Sequence, residues 1–413
     1  VRITENPDGS GGGNKGFNEL FTNSFSMKIL FICDEYPPSS SGGIGTVTQL
    51  LGEGLQQRGH EIWVAGIYND VRERIETRIQ KNITVHRFKK INGIGSDFRS
   101  RIALFLFVRK LVKKESIQLI EAPDFLGPCA LWPPLGVPVV VRLHGSASYL
   151  ASEFQRTIPK RVFFLERSNI RKADAIISVS NYTLQKTREY FRLRLHASVI
   201  YNPVYINKEN ITYADRIEGK VIFVGTLMRL KGVFSLMLAW PHVMKIFPQA
   251  SLHLFGKDSS DYDGSPISEK LKTMLAPNIL DSVHFYGHVD KQEVFRHLRT
   301  AEVAVFPSHS ESFGMAALEA TAAGCPIVFT KKASGPEIFK DEVTAILIDP
   351  DNIPEIASAI YRVLNDKILA NRLVSEGKKK ISMDFSLSKI LDKNESFYLD
   401  VINRNNAGKR IQC

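Results

Sequence analysis

Two glutamates, Glu311 and Glu319, stand with seven residues between them in the segment Pro307-Ser-His-Ser-Glu-Ser-Phe-Gly-Met-Ala-Ala-Leu-Glu-Ala-Thr-Ala-Ala-Gly-Cys-Pro326. On a helix such a separation covers roughly 12 Å at about 1.5 Å per residue. That exceeds the roughly 5 to 9.5 Å between the paired carboxyls that cleave a glycosidic bond. The pair is therefore too wide to flank one bond. It suits opposite ends of an elongated ligand whose anionic middle meets a helix start between them, with Gly314 allowing close backbone approach. A phosphate linked to two polyhydroxylated groups has that form. Without such a ligand both glutamates read as ordinary solvated helix charges.

A second group lies in Gly225-Thr-Leu-Met-Arg229-Leu-Lys231-Gly232. Two cations beside a glycine turn would neutralise a diphosphate leaving group; the alternative is a pair of surface charges on a connecting loop. Asp261-Tyr262-Asp263 has the form of a metal-binding Asp-x-Asp, yet it lies in a Ser-, Gly- and Pro-rich stretch. It is expected to be a solvated loop. His309 has no second histidine or cysteine at a ligand spacing. No metal is expected.

The elements that must position these residues are short apolar runs alternating with helical patterns, the signature of parallel sheets wrapped by helices. The first half predicts strands over 28–33, 61–65, 117–121, 138–143, 175–179 and 198–201. A fresh series follows over 221–224, 251–255, 283–286, 303–306, 327–329 and 345–348. The fold class is α/β, two doubly wound Rossmann-like domains facing a cleft, with a linker near 203–219. Near the glutamate pair, the run Val303–Phe306 leads to Ser310 or Ser312 as helix N-cap, and Gly324 and Pro326 give the stop. Residues 1–26 are polar and glycine-rich and are expected to be a flexible leader or an appended segment.

These motifs resemble a known family, the retaining GT-B glycosyltransferases of the glycogen and sucrose synthase clan, in their group 1 or family-four branch. The resemblance spans Met27 to about Phe397. It rests on the glutamate pair, with Phe313-Gly314 after the first and Ala320 after the second. It implies that Glu311 faces the transferred sugar, that amides around Phe313, Gly314 and Met315 meet sugar and diphosphate, and that Glu319 holds the ribose. Lys231 matches the family's lysine, whereas Thr226 occupies its usual arginine position and Arg229 is the nearby substitute. The loop containing Gly42 and Gly43 resembles the one beneath the donor phosphates. His144 resembles a residue close to the reacting sugar, expected to position rather than act as general base. His288 and Val289 match the segment whose backbone reads the nucleobase. Glu337, in Gly335-Pro336-Glu337, is a weaker site candidate or a cap for the helix that follows it.

The implied domains are 27–203 with a returning helix 386–403, the acceptor side, and 204–385, the donor side. The expected reaction moves a sugar from a UDP- or GDP-sugar to a sugar or lipid-linked hydroxyl acceptor, in surface polysaccharide or glycolipid synthesis. No cofactor is needed, since the nucleotide sugar is itself a substrate. An epimerase of the same architecture and a non-catalytic sugar-binding protein are the alternatives. A dehydrogenase is disfavoured because the glycine loop lacks G-x-G-x-x-G and Trp63-Val-Ala-Gly66 ends without an acidic residue.

The 413 residues are 44% hydrophobic and carry a formal charge of +11, enough chain for two packed cores. Four cysteines, Cys33, Cys129, Cys325 and Cys413, lie far apart and fit a reducing compartment. The basic charge invites a nucleic-acid partner. It concentrates, however, in stretches such as 99–114, where Arg and Lys alternate with apolar residues. Such a helix is either a core element with a solvated basic face or a surface that adsorbs to an anionic membrane. A cytoplasmic protein, peripheral on the membrane face and without a nucleic-acid partner, is the expectation.

Overall fold

The computed structural model describes residues 26–39, 42–93, 95–153, 157–205 and 216–408. The expected leader through residue 25 and the centre of the expected linker, 206–215, lie outside the described residues.

The first sheet comprises β1 (Lys28–Ile32), β2 (Glu61–Tyr68), β3 (Ile75–Gln80), β4 (Ile83–Lys89), β5 (Leu119–Pro123), β6 (Val139–Leu143), β7 (Ala175–Ser178) and β8 (Ser198–Val199). Their spatial order is β3-β4-β2-β1-β5-β6-β7-β8. All pairings are parallel except β3 with β4. The second sheet comprises β9 (Lys220–Val224), β10 (Ser251–Phe255), β11 (Val283–Gly287), β12 (Val303–Phe306), β13 (Ile327–Thr330) and β14 (Ile346–Ile348). Its order is β11-β10-β9-β12-β13-β14, parallel throughout. Helices cover both faces, so central strands such as Val303-Ala-Val-Phe306 and Ile327-Val-Phe-Thr330 are buried along their whole length. That explains why they read as continuous apolar runs rather than alternating ones.

The hairpin β3–β4 was not anticipated. Ile75 and Ile79 are exposed on an edge strand, so the apolar signal there is weak. The strands are joined by Lys81 and Asn82, both with positive φ, the backbone that a two-residue hairpin turn needs.

The chain crosses between domains twice. After β8 it passes Val204, whose amide donates to the carbonyl of Phe385 at 2.9 Å, and Val204 and Ser386 form an isolated parallel bridge. Outgoing and returning strands are thus tied together at the crossing. The last helix, Leu387–Asn406, then packs on the helix Gly43–Gln57 and places Ile390, Leu391, Tyr398, Val401 and Ile402 in the core that β1 and β2 also build. A buried network fixes it. Arg142 on β6 donates to both oxygens of Glu121 on β5 (2.8 and 3.0 Å) and to Asn394 Oδ1 (2.5 Å), and Tyr398 donates to Glu121 at 2.5 Å.

No helix among the described residues is long and apolar enough to cross a membrane. The basic segment forms the helix Ser96–Glu115, which buries Leu104, Val108, Leu111 and Val112 and exposes Arg99, Arg109, Lys110, Lys113 and Lys114.

Candidate functional site

Parallel strands deliver their following loops to one edge of each sheet, and here those edges face each other across a cavity of about 1180 Å³. Its walls include Gly42 and Gly43 after β1, His144 after β6, Lys231 after β9, and Glu311, Phe313, Gly314 and Met315 after β12. The topology thus gathers eight of the twelve expected site residues. Arg229, Glu319, His288 and Val289 do not line this cavity.

The turn Arg229–Lys231 follows β9 and ends at Gly232. From it Lys231 Nζ reaches Glu311 Oε2 at 2.6 Å, and Ser308 Oγ is 3.4 Å from the same oxygen. Glu311 is not on a helix. The helix begins at Met315 with Gly314 as N-cap and no side-chain cap, so neither Ser310 nor Ser312 caps it. The reason is the backbone of Gly314, which turns at φ 87°, where a Cβ would lie 2.8 Å from the Phe329 ring. The amides of Met315, Ala316 and Ala317 are those a helix start leaves without intrahelical acceptors, and all three residues line the cavity. Phe313 is buried behind them, against Tyr201 and Phe385.

His144 is held from below. Its amide and that of Gly145 donate to the two oxygens of Asp124 at 2.9 and 3.2 Å. Burial pushes the Asp124 carboxyl up to about 7. Burial, with the Arg142 charge behind it, brings the His144 imidazole down to about 3, so the ring is neutral at ordinary pH. Nearby, Glu166 is buried and accepts from the amides of Leu126, Ala147 and Ser148 at 2.8 to 3.0 Å. Asp124 and Glu166 were not identified from sequence. The available signal was Asp124 one residue beyond β5, at a strand end facing the cleft.

Gly42 is the N-cap of the helix Gly43–Gln57. Glu35 accepts from the Gly45 amide at 2.8 Å and also lines the cavity, another group missed in sequence. Glu319 sits four residues into its helix, with Lys291 4.0 Å away. Lys291 in turn donates to Thr46 Oγ1 of the first domain at 2.9 Å. Burial pushes the Glu319 carboxyl up and Lys291 opposes that shift. His288 and Val289 follow β11; His288 is exposed, and Val289 packs on the second-domain core.

Three expectations are corrected. Arg229 does not line the cavity, and its Nε and Nη2 fork onto Asp261 at 2.8 Å each. Asp261 is accordingly no solvated loop residue: it is buried and also accepts from Lys270 at 2.5 Å. The hydrogen bonds from Arg229 and Lys270 hold its carboxyl far below the usual range. Glu337 does not cap its own helix. It accepts from the amides of Asn181 and Tyr182 at 2.8 and 3.1 Å, at the start of the first-domain helix Asn181–Phe191. Beside it, Ser180 Oγ and Thr183 Oγ1 donate to the carbonyl of Ser312 at 2.8 and 3.1 Å. The glutamate loop is thus fastened across the domain boundary, and Gly145 approaches it so closely that a Cβ there would lie 2.5 Å from Ser312 Oγ.

His309 reaches Ser235 and Asp351. Among the described residues no three His, Cys, Asp or Glu side chains gather as a metal would require.

Two family models tile most of the chain: Glycosyltransferase Family 4 over residues 41–208 and Glycosyl transferases group 1 over 209–380. An uncharacterised glycosyltransferase of Methanocaldococcus jannaschii is 28% identical over 90% of this chain and 98% of its own length. The glycogen synthase of Mycobacterium tuberculosis is 26% identical over 90% and 94%. Among solved structures, sucrose-phosphate synthase from Thermosynechococcus elongatus superposes with a TM-score of 0.76 at 20% identity, covering 91% of this chain and 99% of that one. The Anabaena protein HepE, solved in complex with UDP-glucose, gives 0.71 at 19% identity over 91% and 100%.

Proposed function

The chain belongs to the group 1 and family 4 glycosyltransferases of the GT-B fold, enzymes that use nucleotide sugars, and from that premise we propose that its cleft moves a hexosyl unit from a UDP- or GDP-sugar to a hydroxyl acceptor with retention of configuration. The observation that carries this reading is the 2.6 Å pair of Lys231 and Glu311 beside the open helix start at Met315. One cation, one hydrogen-bond acceptor for hydroxyls and a set of free amides meet where a sugar and a phosphate would adjoin.

The roles follow from where charge develops. As the bond from the anomeric carbon to the phosphate oxygen breaks, negative charge grows on that oxygen. Lys231 and the amides of 315–317 are placed to stabilise it. Glu311, oriented by Lys231 and Ser308, accepts from hydroxyls of the transferred ring. The acceptor oxygen bonds to the anomeric carbon on the face the phosphate leaves, and its proton passes to the departing phosphate oxygen. His144, neutral and pinned through its amide, donates to or accepts from a sugar hydroxyl; an imidazole with a pKa of about 3 is a poor general base at neutral pH. Glu319, with Lys291 beside it, is offered for the ribose, and the turn at His288 and Val289 for the base.

Use in a surface polysaccharide or glycolipid, on the cytoplasmic side of a membrane, is supported by the solvated basic face of the helix Ser96–Glu115. A thermal-shift panel of UDP, GDP, ADP and their sugars tests the donor class. Selective stabilisation by one uridine or guanosine diphosphate is expected. Stabilisation by none of them would remove the reading.

A further inference from the structure

The strand β3 ends the first sheet, and among the described residues no strand pairs with its outer side. It carries an isoleucine at each end of a charged centre, Ile75-Glu-Thr-Arg-Ile79, and Ile79 is 75% exposed. Open edges are normally blunted by a proline, a bulge or repelling charges. β3 has none of these: it contains no proline, its register against β4 is unbroken, and its two charges are opposite.

The ladder with β4 fixes which backbone groups point outward. The Lys89 amide donates to the carbonyl of Arg74 at 3.2 Å, so residues 76, 78 and 80 turn their N–H and C=O groups towards β4, and Ile75, Thr77 and Ile79 turn theirs away. This outward set is symmetrical about Thr77. If a second copy of the edge lies antiparallel with the two Thr77 residues opposite each other, Ile75 of each copy meets Ile79 of the other, and every outward N–H meets an outward C=O. Glu76 of each copy then stands opposite Arg78 of the other, in the more closely spaced pairs of the ladder. Sliding one strand by two residues keeps the hydrogen bonds in step but sets Glu76 against Glu76 or Arg78 against Arg78. Charge therefore selects one register. Within a single copy Arg78 already contacts Glu76, which also accepts from Arg87 at 3.1 Å. Arg78, with its side chain 46% exposed, exchanges the glutamate of its own chain for that of the other copy, so pairing strands no charge.

We propose that β3 is a homodimer interface, through which two copies of this chain join their first sheets edge to edge about a two-fold axis at Thr77. The occupant is a second copy because the edge is complementary to itself in the antiparallel sense, which is the condition for a closed isologous contact. A contact centred on one short strand gives a reversible dimer rather than a permanent one. None of residues 75–80 lines the cleft, so the proposal is independent of the reaction assigned there.

Sedimentation equilibrium of the full chain should show a monomer–dimer equilibrium that closes at the dimer. Arg78→Glu sets a glutamate opposite Glu76 in both pairs and should raise the dimer dissociation constant about tenfold or more. An unchanged thermal midpoint in dilute solution verifies that this surface variant folds. The register is read separately by oxidising single cysteines introduced into a Cys413→Ser chain, whose other cysteines are buried. Thr77→Cys should give a covalent dimer, because residues so paired hold their Cα atoms about 5.5 Å apart, inside the roughly 4.4 to 6.8 Å that a disulfide spans. Ile79→Cys should not, although it is well exposed, since the two copies of residue 79 lie about 14 Å apart along the strands at about 3.4 Å per residue. A chain that stays monomeric at high micromolar concentration, a dimer indifferent to Arg78→Glu, or cross-linking by Ile79→Cys as fast as by Thr77→Cys would overturn the proposal. So would growth beyond the dimer, since a two-fold pair leaves neither copy's β3 edge open.

Discussion

The carboxylate of Glu337, in the donor-side domain, receives the first two amides of the helix that begins at Asn181 in the other domain. It is an N-terminal cap supplied from across the domain boundary, where a negative charge meets unpaired N–H groups and the positive end of a helix. Replacing Glu337 by Ala is expected to cost about 1 kcal/mol of stability. Urea titration of the variant against the parent would measure it, and an unchanged midpoint would show that water caps the helix equally well.

Glu311→Ala should abolish transfer with the fold intact, and Lys231→Met should lower the rate on the order of 10² to 10³. Because each residue positions the other at 2.6 Å, the double variant should lose much less than the product of the two single losses. Single-turnover rates with saturating donor would read this. Near-normal turnover by Glu311→Ala would remove that residue from the chemistry.

Arg142→Met should destabilise the protein by about 3 to 5 kcal/mol, since it strands the buried carboxylate of Glu121. The same change should loosen the last helix, which meets that network through Asn394 and Tyr398. Amide hydrogen exchange would then speed up across Leu387–Asn406 more than in the second sheet.

The pH dependence of stability should carry two opposed contributions from adjoining groups, Asp124 after β5 and His144 after β6. The folded pKa of Asp124, about 7, stands above its ordinary value of 3.8. Between those values the folded state holds a proton the unfolded state has lost, so this contribution falls as pH rises through the window. His144 at about 3 stands below its ordinary 6.5, so its contribution falls as pH drops from 6.5 towards 3. Asp124→Asn should therefore be less stable than the parent at pH 4, with the gap narrowing towards pH 7. A gap that stayed constant would contradict the raised carboxyl.

Both sheets were legible where a buried strand reads as an apolar run; β4 is buried too, but Thr84, His86 and Arg87 interrupt its run. The hairpin β3–β4 escaped because an edge strand such as Ile75–Gln80 answers to solvent on most of its length. Of the site, Glu311 and Gly314 were legible within one segment and Lys231 by its glycine-flanked turn after β9, 80 positions from Glu311. What the sequence hid were partners set by tertiary folding. Asp261 lies 32 positions from Arg229 and removes it from the cleft, and Glu337 lies 156 positions from Asn181. Charge alone cannot tell an arginine that awaits a phosphate from one already paired with a carboxylate.

The last helix has a further consequence in time. It furnishes Ile390, Leu391, Tyr398, Val401 and Ile402 to a core whose other buried members run from Met27 to Ile200 in the first domain. During synthesis from the N-terminus, the first domain therefore emerges with one wall of its interior missing. It must wait for the second domain to be translated before it can close. The second sheet, whose strands and covering helices are contiguous in the chain, can mature without that delay, so the half made later is free to finish first.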